Sequence, residues 1–400
     1  MRDLGTSKGI SPDRRRDLRW RGALDALGVV RRQPGITRAE LARRAGLSSG
    51  SATEITARLR ELALLVEAPA PVTGRGRPTT VLAAHPRGPL VLAVDLRHED
   101  WRLALGAIDG SLADAGAGRH RRRDPGAVLA ALGSAIAGVL ANHGDRVRVV
   151  SVAVAGTVQD HELVQAATLR WGPVDLRTLV RGAAVALIVG NDATLAGVAE
   201  ARGGAGAHAR AVLHLIVEVG IGGILVVGGH PVTGATGAGG EFGHIRFGEA
   251  TLRCPCGARG CWDMLVDGRA LARHLGEPAP ANARTYARAV IDRARSDAAA
   301  QRAVATCAAA LGSGIAGLVN ALDPDMVTLG GLAIPLYGTA TRAFRTAYRS
   351  GLMAFRRRSP PEVRPAFHGE DGALYGAAEV GMDRILTEDG LASWARRATT

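Results

Sequence analysis

The stretch that decides the fold is Cys254-Pro255-Cys256-Gly257-Ala258-Arg259-Gly260-Cys261, with Gly240-Glu241-Phe242-Gly243-His244 shortly before it. It holds three of the chain's four cysteines. Three thiolates and one imidazole are the usual ligands of a closed tetrahedral zinc site, and the two glycines let the backbone turn tightly between them. Buried thiols or a disulfide loop are the alternatives, but nothing in the sequence indicates an oxidising compartment. We therefore predict structural Zn²⁺ bound by His244, Cys254, Cys256 and Cys261.

The charge of the chain is unevenly distributed. The chain has 400 residues, enough for two or three domains, and a net charge of +13. Residues 1–87 hold 17 Arg and Lys against 8 Asp and Glu, a net of +9, which leaves +4 for the rest. A small basic segment ahead of a nearly neutral body indicates that this segment binds a polyanion.

The basic segment carries the pattern of a helix-turn-helix. Apolar residues recur at helical spacing from Leu18 to Val30. A second helix begins at Thr37, where Glu40 completes a capping box, and ends at Gly46. A third helix is capped by Ser48 and continues to about residue 64. In this motif the second of the two helices joined by the glycine turn enters the major groove of DNA.

A wing is predicted after these helices. Strands over Leu64 to Glu67 and Thr79 to Leu82 flank Gly74-Arg75-Gly76-Arg77-Pro78. Glycines let the backbone approach DNA closely, and arginines suit phosphates or the minor groove. An ordinary helical subdomain with a basic loop is the alternative, but turn, caps, wing and charge agree in favouring a double-stranded DNA operator. The predicted DNA contacts are Ser49, Ser51, Thr53, Glu54, Arg58, Arg75 and Arg77.

The rest of the chain predicts a two-lobed α/β domain. Groups of strands that are followed by helices occur twice, which fits two lobes with a ligand site in the cleft between them. We place the winged head at residues 14–84, a linker at 85–89 and the body at 90–398. The predicted elements include strands at Val91–Leu96, Val147–Val154, Val185–Val189, Ala211–Val219 and Met326–Gly331, and a helix at Pro335–Ala347.

Neither a targeting segment nor a membrane span is predicted. Met1 to Asp17 is polar and charged, without the apolar core of a signal peptide. The longest apolar stretch, Val128 to Ala141, is shorter than a membrane span and contains two glycines. We expect a cytoplasmic protein that is associated with the nucleoid when it is bound to DNA.

Taken together, the motifs resemble the ROK family (Repressor, ORF, Kinase), in its transcriptional-regulator branch. The resemblance covers the chain from about Leu18 to the C-terminal helices. It implies an actin-like ATPase fold, which is the ribonuclease H-like fold of sugar kinases, behind the winged head. The motifs that carry it are the zinc cluster, Gly76-Arg77-Pro78, Asn191-Asp192, Gly220-Ile221-Gly222-Gly223, Gly240-Glu241-Phe242-Gly243-His244 and Leu329-Gly330-Gly331.

The resemblance also implies a sugar pocket. A carboxylate beside an amide can bind neighbouring sugar hydroxyls, which both donate and accept hydrogen bonds. In the family's kinases the aspartate at the position of Asp192 is the general base. A helix N-cap is the alternative for the Asn191-Asp192 pair, and a solvated loop carboxylate is the alternative for Glu241. The expected sugar-binding residues are Asn191, Asp192, Glu241, Asp263 and His244, whose second ring nitrogen would face the sugar.

Two departures from the family's kinase pattern argue against phosphoryl transfer, and a third bears on which sugar is bound. Asp95-Leu96-Arg97-His98-Glu99-Asp100 stands where kinases have Asp-x-Gly-Gly-Thr, so the glycines that would cradle phosphate are missing and two acids follow. Val219 replaces a threonine in the second phosphate turn. The shorter Asp263 replaces a glutamate that often contacts sugar. A kinase without its phosphate cradle loses most of its charge stabilisation.

These patterns predict a sugar-responsive DNA-binding transcriptional regulator of carbohydrate metabolism genes, acting as a repressor. It is expected to act as a homodimer or homotetramer and to bind a monosaccharide or amino sugar without phosphorylating it. An ATP-dependent, glucokinase-like sugar kinase with an added DNA-binding domain is the first alternative. The second is a DNA-bound scaffold that has lost its response to ligands.

Overall fold

The first part of the protein is a winged helix-turn-helix head. The computed structural model describes residues 12–70, 80–120, 124–166, 169 and 171–398. Three helices precede two antiparallel strands, which pair Leu65 with Ala84 and Pro69 with Thr80. The elements are α1 (Pro12–Arg32), α2 (Arg38–Arg44), α3 (Ser49–Glu61), β1 (Leu65–Pro69) and β2 (Thr80–Ala84).

Side-chain caps determine where the two short helices of the head begin. The Glu40 N–H donates to Thr37 Oγ1 at 3.2 Å, and the Thr37 N–H donates to the Glu40 carboxylate at 3.1 Å, which confirms the predicted capping box. Gly46 makes the turn with a φ of 64°, a conformation that favours glycine. Ser48 then caps α3 by accepting the Ser51 N–H at 3.0 Å.

Two helix ends in the head differ from the predicted ones. α1 begins at Pro12, before Leu18, because the polar residues of its first turns continue the helix without an apolar signal. α3 ends at Glu61, before residue 64, because Ala63 adopts a positive φ of 52° that a helix cannot continue through. The turn frees Leu64 and Leu65 to pack into the core of the head.

The first lobe is built on a five-stranded sheet. Its strand order is β10-β6-β3-β4-β5, with β3 parallel to β6 and antiparallel to β4. A small three-stranded sheet, β7-β8-β9, lies at its edge. The elements are β3 (Leu90–Leu96), β4 (Asp100–Gly106), β5 (Leu112–Arg119), α4 (Pro125–His143), β6 (Val147–Val154), β7 (Thr157–Gln159), β8 (Glu162–Gln165), β9 (Val174–Asp175) and β10 (Ala186–Asn191).

The second lobe repeats the plan with a sheet of order β13-β12-β11-β14-β15. Helix α8 runs through its largest apolar core, and α12 returns the chain to the first lobe. The elements are α5 (Asp192–Gly203), β11 (Ala211–Val217), β12 (Ile221–Val227), β13 (His230–Pro231), α6 (Gly268–Leu275), α7 (Ala283–Arg293), α8 (Ala298–Leu322), β14 (Met326–Gly331), α9 (Ala333–Thr339), α10 (Thr341–Gly351), α11 (Ala354–Arg358), β15 (Glu362–Pro365), α12 (Gly372–Ile385) and α13 (Glu388–Ala398).

The helix predicted over Pro335 to Ala347 is two helices, α9 and α10. Ala340, with φ of −124° and ψ of 42°, leaves the helical region and separates them. The bend lets Phe344, which is fully buried, turn into the core of the second lobe beside Leu311 and Ile315. The apolar pattern of the sequence continues through the bend, and for this reason it predicts one continuous helix.

Two helices of the body are long and apolar enough to cross a membrane by length and composition, Pro125–Arg146 and Ala298–Leu322. The first is longer than the apolar stretch predicted from Val128 to Ala141. Its residues Leu132 and Ile136 pack against the first sheet, and its outer face is exposed. The second is mostly buried in the second lobe. Core helices of globular proteins commonly have this composition.

The head is packed firmly against the body. Leu27 and Val30 of α1 share an apolar core with Val149 of β6 and with Ile385 and Leu391 of the last two helices. The expected linker at 85–89 is a tight turn, in which the Gly88 N–H donates to the His85 carbonyl at 2.8 Å. A large shared core opposes free motion between two domains.

Candidate functional site

The predicted zinc ligands come together in one cluster. Cys254, Cys256, Cys261 and His244 each offer a ligand atom, and these atoms all lie within 4.8 Å of one another. The sulfurs of Cys256 and Cys261 are 3.8 Å apart, and His244 Nδ1 is 3.8 Å from the Cys254 sulfur. Tetrahedral Zn–S bonds of about 2.3 Å place two sulfurs about 3.8 Å apart. The donor set and its spacing therefore fit a zinc ion.

His244 lies between this cluster and the cleft. Its Nδ1 faces the Cys254 sulfur, whereas its Nε2 is 3.7 Å from a carboxylate oxygen of Glu241. The turn that carries it is crowded, since a Cβ on Gly243 would lie 2.0 Å from Asp263 Oδ1. This glycine is therefore required by close packing rather than by flexibility.

The five predicted sugar residues line one cavity between the lobes. The cavity measures about 350 Å³, within the range of small-molecule sites. It extends from the zinc cluster past the Gly220 turn to the start of α12. Its predicted lining residues are Asn191, Asp192, Glu241, His244 and Asp263, and Thr157 and Gln165 line it as well.

Asn191 caps α5 and also ties the helix to the first lobe. Its Oδ1 accepts the Thr194 N–H at 3.0 Å, and its Nδ2 donates to the Gly156 carbonyl at 3.1 Å. The N-cap alternative therefore holds for Asn191. Asp192 follows in the lining of the cavity, where burial raises the pKa of its carboxyl and the Ala193 N–H, donating at 2.9 Å, opposes that rise.

Glu241 and Asp263 are each held by a partner that sequence reasoning missed. Thr157 Oγ1 donates to Glu241 Oε1 at 2.9 Å from the opposite wall. Asp263 is 8% exposed, and its Oδ1 accepts the Ile221 N–H at 2.6 Å. Burial raises the pKa of Asp263, and this backbone hydrogen bond opposes the rise. The aspartate thus fixes the glycine turn of β12 as well as facing the cavity.

Two groups of charged side chains line the cavity, one around Asp95 and Arg97 and the other around Glu218 and Arg284. Arg97 Nε donates to Asp100 Oδ1 at 2.6 Å and lies 3.7 Å from the buried Asp95. Across the cleft, Arg284 pairs with Glu218 at 2.5 Å. Burial raises the pKa of both Asp95 and Glu218 to about 7, although arginine neighbours oppose the shift.

We did not predict from the sequence that Arg97, Glu218 and Arg284 line the cleft. The available signal was Glu218, an acid directly before the Val219-Gly220 turn. A carboxylate at that point repels a phosphate unless a cation neutralises it, and only the three-dimensional structure brings Arg284 of α7 beside it.

The predicted DNA contacts of α3 lie on its exposed face. Ser49, Ser51, Thr53 and Glu54 are all exposed in the first turns of the helix. Thr53 Oγ1 donates to the Ser49 carbonyl at 2.8 Å. The guanidinium of Arg58 lies 4.4 Å from the centre of the Trp20 ring, so it packs on the head. Arg75 and Arg77 lie outside the residues that the structure describes.

Comparison with known proteins matches two parts of the chain to two families. Residues 92–383 match the ROK family, and residues 17–76 match the MarR family. A solved ROK family transcriptional regulator, a homologue of the E. coli MLC protein, superposes with a TM-score of 0.73 at 20% identity. The superposition covers 93% of this chain and 98% of that one, so the likeness in fold includes the head.

Relatives with known activities include both enzymes and a repressor. The glucokinase of Streptomyces coelicolor is 28% identical over 281 residues, which cover 65% of this chain and 87% of that enzyme. The xylose repressor of Bacillus subtilis is 22% identical over 240 residues, which cover 59% of this chain and 62% of the repressor. The chain belongs to the ROK family, and it carries a MarR-like winged helix-turn-helix head ahead of the ROK domain.

Proposed function

We propose that this protein is a sugar-responsive transcriptional regulator that binds its effector without phosphorylating it. The observation that carries the proposal is the ion pair of Glu218 and Arg284, which lies in the same cleft as the predicted sugar residues, beside the Gly220 turn at which the kinase resemblance predicts a phosphate loop. The relatives of this chain include a repressor and kinases, and the head is the part that a glucokinase does not need.

The head is proposed to bind a palindromic double-stranded DNA operator. Exposed hydroxyls and a carboxylate on the first turns of α3 suit base edges in the major groove, and the basic charge of residues 1–87 suits phosphates. A palindrome requires two heads related by a two-fold axis, so we propose a homodimer or a homotetramer. Such a protein acts in the cytoplasm, associated with the nucleoid when it is bound to DNA.

The cleft is proposed to bind a monosaccharide or an amino sugar. Asp192 and Glu241 supply acceptors for neighbouring hydroxyls, and His244 Nε2 faces the same space. Asn191 has one amide proton and one oxygen lone pair left after capping α5 and bonding Gly156, so it can still contact a ligand. Closure of the lobes around the sugar would change the placement of the heads and so repress or release the carbohydrate genes under control.

Zinc would be held by the three cysteines and His244. When bound, the ion fixes the loop that carries Glu241 and His244, because structural zinc adds its binding energy to folding. Glu241 lies beside the histidine ring, so the loop around the metal also shapes the sugar pocket.

A sugar kinase is the second candidate function. It is favoured by Asp192, a carboxyl with a raised pKa in the lining of the cavity, which is where a general base for a sugar hydroxyl would lie. The ion pairs at both turns weigh against it, since Arg284 and Arg97 are already bound to Glu218 and Asp100 and so are not available to bind the transferred phosphate. A DNA-bound scaffold that is indifferent to ligands is the remaining alternative.

Three measurements, namely thermal unfolding with ligands, operator affinity and ATP turnover, separate these functions. Thermal unfolding of the zinc-loaded protein is measured against a panel of monosaccharides, amino sugars and their phosphates. A ligand at a hundredfold its dissociation constant adds roughly 2.7 kcal/mol to the free energy of unfolding. A hit that is lost in Glu241→Ala and that changes operator affinity supports the regulator. ATP turnover that is abolished in Asp192→Asn would establish the kinase, and a panel without any shift would favour the scaffold.

A further inference from the structure

We propose that α12 is a mechanical link between the interlobe cleft and the DNA-binding head, and that Arg31 is the positioning residue that couples the head to it. The functional role of this link rests on the proposed function, because the link explains how a ligand in the cleft would move the head. The contacts that carry it are independent of which ligand binds.

The first end of α12 lies in the cleft. Gly372 and Ala373 line the cavity beside Ala196 of α5. One turn later a Cβ on Gly376 would lie 1.9 Å from the Leu195 carbonyl oxygen, so the two helix backbones are in direct contact. Helices packed this closely cannot slide past each other without a matching shift of both. A change in the lobe angle is therefore passed to α12.

The second end of α12 binds the head through Arg31. The guanidinium of Arg31 makes a bidentate contact with the Glu379 carboxylate, at 3.1 Å and 2.6 Å, and also donates to the Glu379 carbonyl. Its remaining nitrogen donates to Asp383 at 2.8 Å. The Arg31 side chain is only 10% exposed, so this is a partly buried fork rather than a surface ion pair.

The same two carboxylates also bind the body. Arg202, in the last turn of α5, donates to Asp383 at 2.6 Å and lies 3.8 Å from Glu379. A further Arg202 nitrogen donates to the Gly229 carbonyl at 2.9 Å. Glu379 and Asp383 therefore join the head to α5, the helix that begins at Asp192 in the sugar pocket.

The recognition helix is held by the next element along the chain. Trp394 Nε1 of α13 donates at 2.7 Å to the carbonyl of Leu62, the capping residue directly after α3. Ile385 of α12 and Leu391 of α13 pack in the core of the head beside Leu27. A shift of α12 is thus passed to α1 by the ion-pair fork, and to α3 through α13 by the Trp394 hydrogen bond. Discrete, contiguous contacts of this kind are the physical means by which two sites can be coupled.

Hydrogen exchange in the full-length, zinc-loaded protein tests the link without DNA or sugar. Arg31→Met removes the fork, and Arg31→Lys keeps the charge but loses the bidentate geometry. We expect Arg31→Met to speed amide exchange about tenfold, equivalent to about 1.4 kcal/mol, both in α1 and in the first two turns of α12. Arg31→Lys should give an intermediate effect at both places.

Arg38→Met is the matched control, because Arg38 forms a 3.4 Å ion pair with Glu67 inside the head and is 49% exposed. It should leave exchange in α12 unchanged. Faster exchange confined to α1 in both Arg31 variants would overturn the proposal, because the fork would then stabilise the head alone. A failure of the sugar-sensor proposal would leave this exchange result intact, so the two can be distinguished.

Discussion

Thr157 Oγ1 donates a 2.9 Å hydrogen bond to Glu241 Oε1, which joins the edge of the first lobe to the loop before the zinc cluster. The other Glu241 oxygen lies 3.7 Å from His244 Nε2. Gly237 of the same loop approaches β7 closely, since a Cβ there would lie 3.0 Å from the Val158 carbonyl oxygen. The position of Glu241 therefore depends on both walls of the cleft.

Thr157→Val should weaken binding of the sugar that most stabilises the wild-type protein. The variant keeps the shape of the side chain but leaves Glu241 without its hydroxyl donor, a loss of about 0.5–1.5 kcal/mol or roughly a two- to tenfold rise in Kd. Isothermal titration calorimetry measures it. Thr157→Ser restores the hydroxyl and should restore affinity, whereas equal weakening in both variants would refute the positioning role.

Cys256→Ser should remove zinc and sugar binding while the head stays folded. A hydroxyl is a much poorer zinc ligand than a thiolate, and the loop that carries Glu241 and His244 would lose its anchor. Zinc content per chain is measured by atomic emission, and head folding by DNA binding. Cys307→Ala is the control, because Cys307 is buried in α8 away from the cluster. One zinc per chain in Cys256→Ser would contradict the ligand assignment.

The parts of the fold that local rules determine were predictable from the sequence. The capping box of Thr37 and Glu40, the turn at Gly46 and the Cys/His cluster each depend on residues close together in the chain, and the structure has all three. The family resemblance supplied what local rules do not, namely that Asn191 and Glu241 face one cavity.

What the sequence could not predict depends on distant pairs. Arg284 meets Glu218, and Arg31 meets Glu379, only after the chain has folded over large separations. A surface arginine and one that lines the cleft look the same in the sequence, because their difference lies in the partner. The break between α9 and α10 at Ala340 could not be predicted for a similar reason. It is favoured by the burial of Phe344 in the core and not by local helix propensity.

Asp95→Asn should change how stability depends on pH. Burial raises the pKa of Asp95 from 3.8, the ordinary value of an aspartate, to about 7 in the folded protein. Between these two pH values the folded state binds more protons than the unfolded state. The contribution of Asp95 to the free energy of unfolding therefore falls by about 1.4 kcal/mol for each pH unit of increase. The stability of the variant relative to wild type should therefore rise from pH 4 to pH 7 and level off above.

Urea unfolding at pH 4, 5.5, 7 and 8 measures this difference for Asp95→Asn. Glu218 is present in both proteins, so its own titration cancels in the comparison. A difference that does not vary with pH would show that Arg97 compensates the burial of the Asp95 carboxyl fully.

Arg77→Ala should weaken operator binding and reduce its dependence on salt. We predict that this arginine, at the tip of the wing, neutralises a phosphate, and each such contact releases condensed counterions. The slope of log K against log salt should therefore fall in magnitude by about 0.9, and the loss should be similar for specific and non-specific DNA. Fluorescence anisotropy over a salt series measures both.

The control for the wing contact is Arg177→Ala. Arg177 is an exposed arginine of the body that pairs with Asp175 at 2.9 Å, so its removal lowers the net charge equally without touching the head. If affinity falls in Arg77→Ala while the slope stays at the wild-type value, the arginine shapes the wing without contacting phosphate. If both variants reduce the slope equally, overall charge rather than a wing contact explains the effect, because a long-range field does not distinguish the two positions.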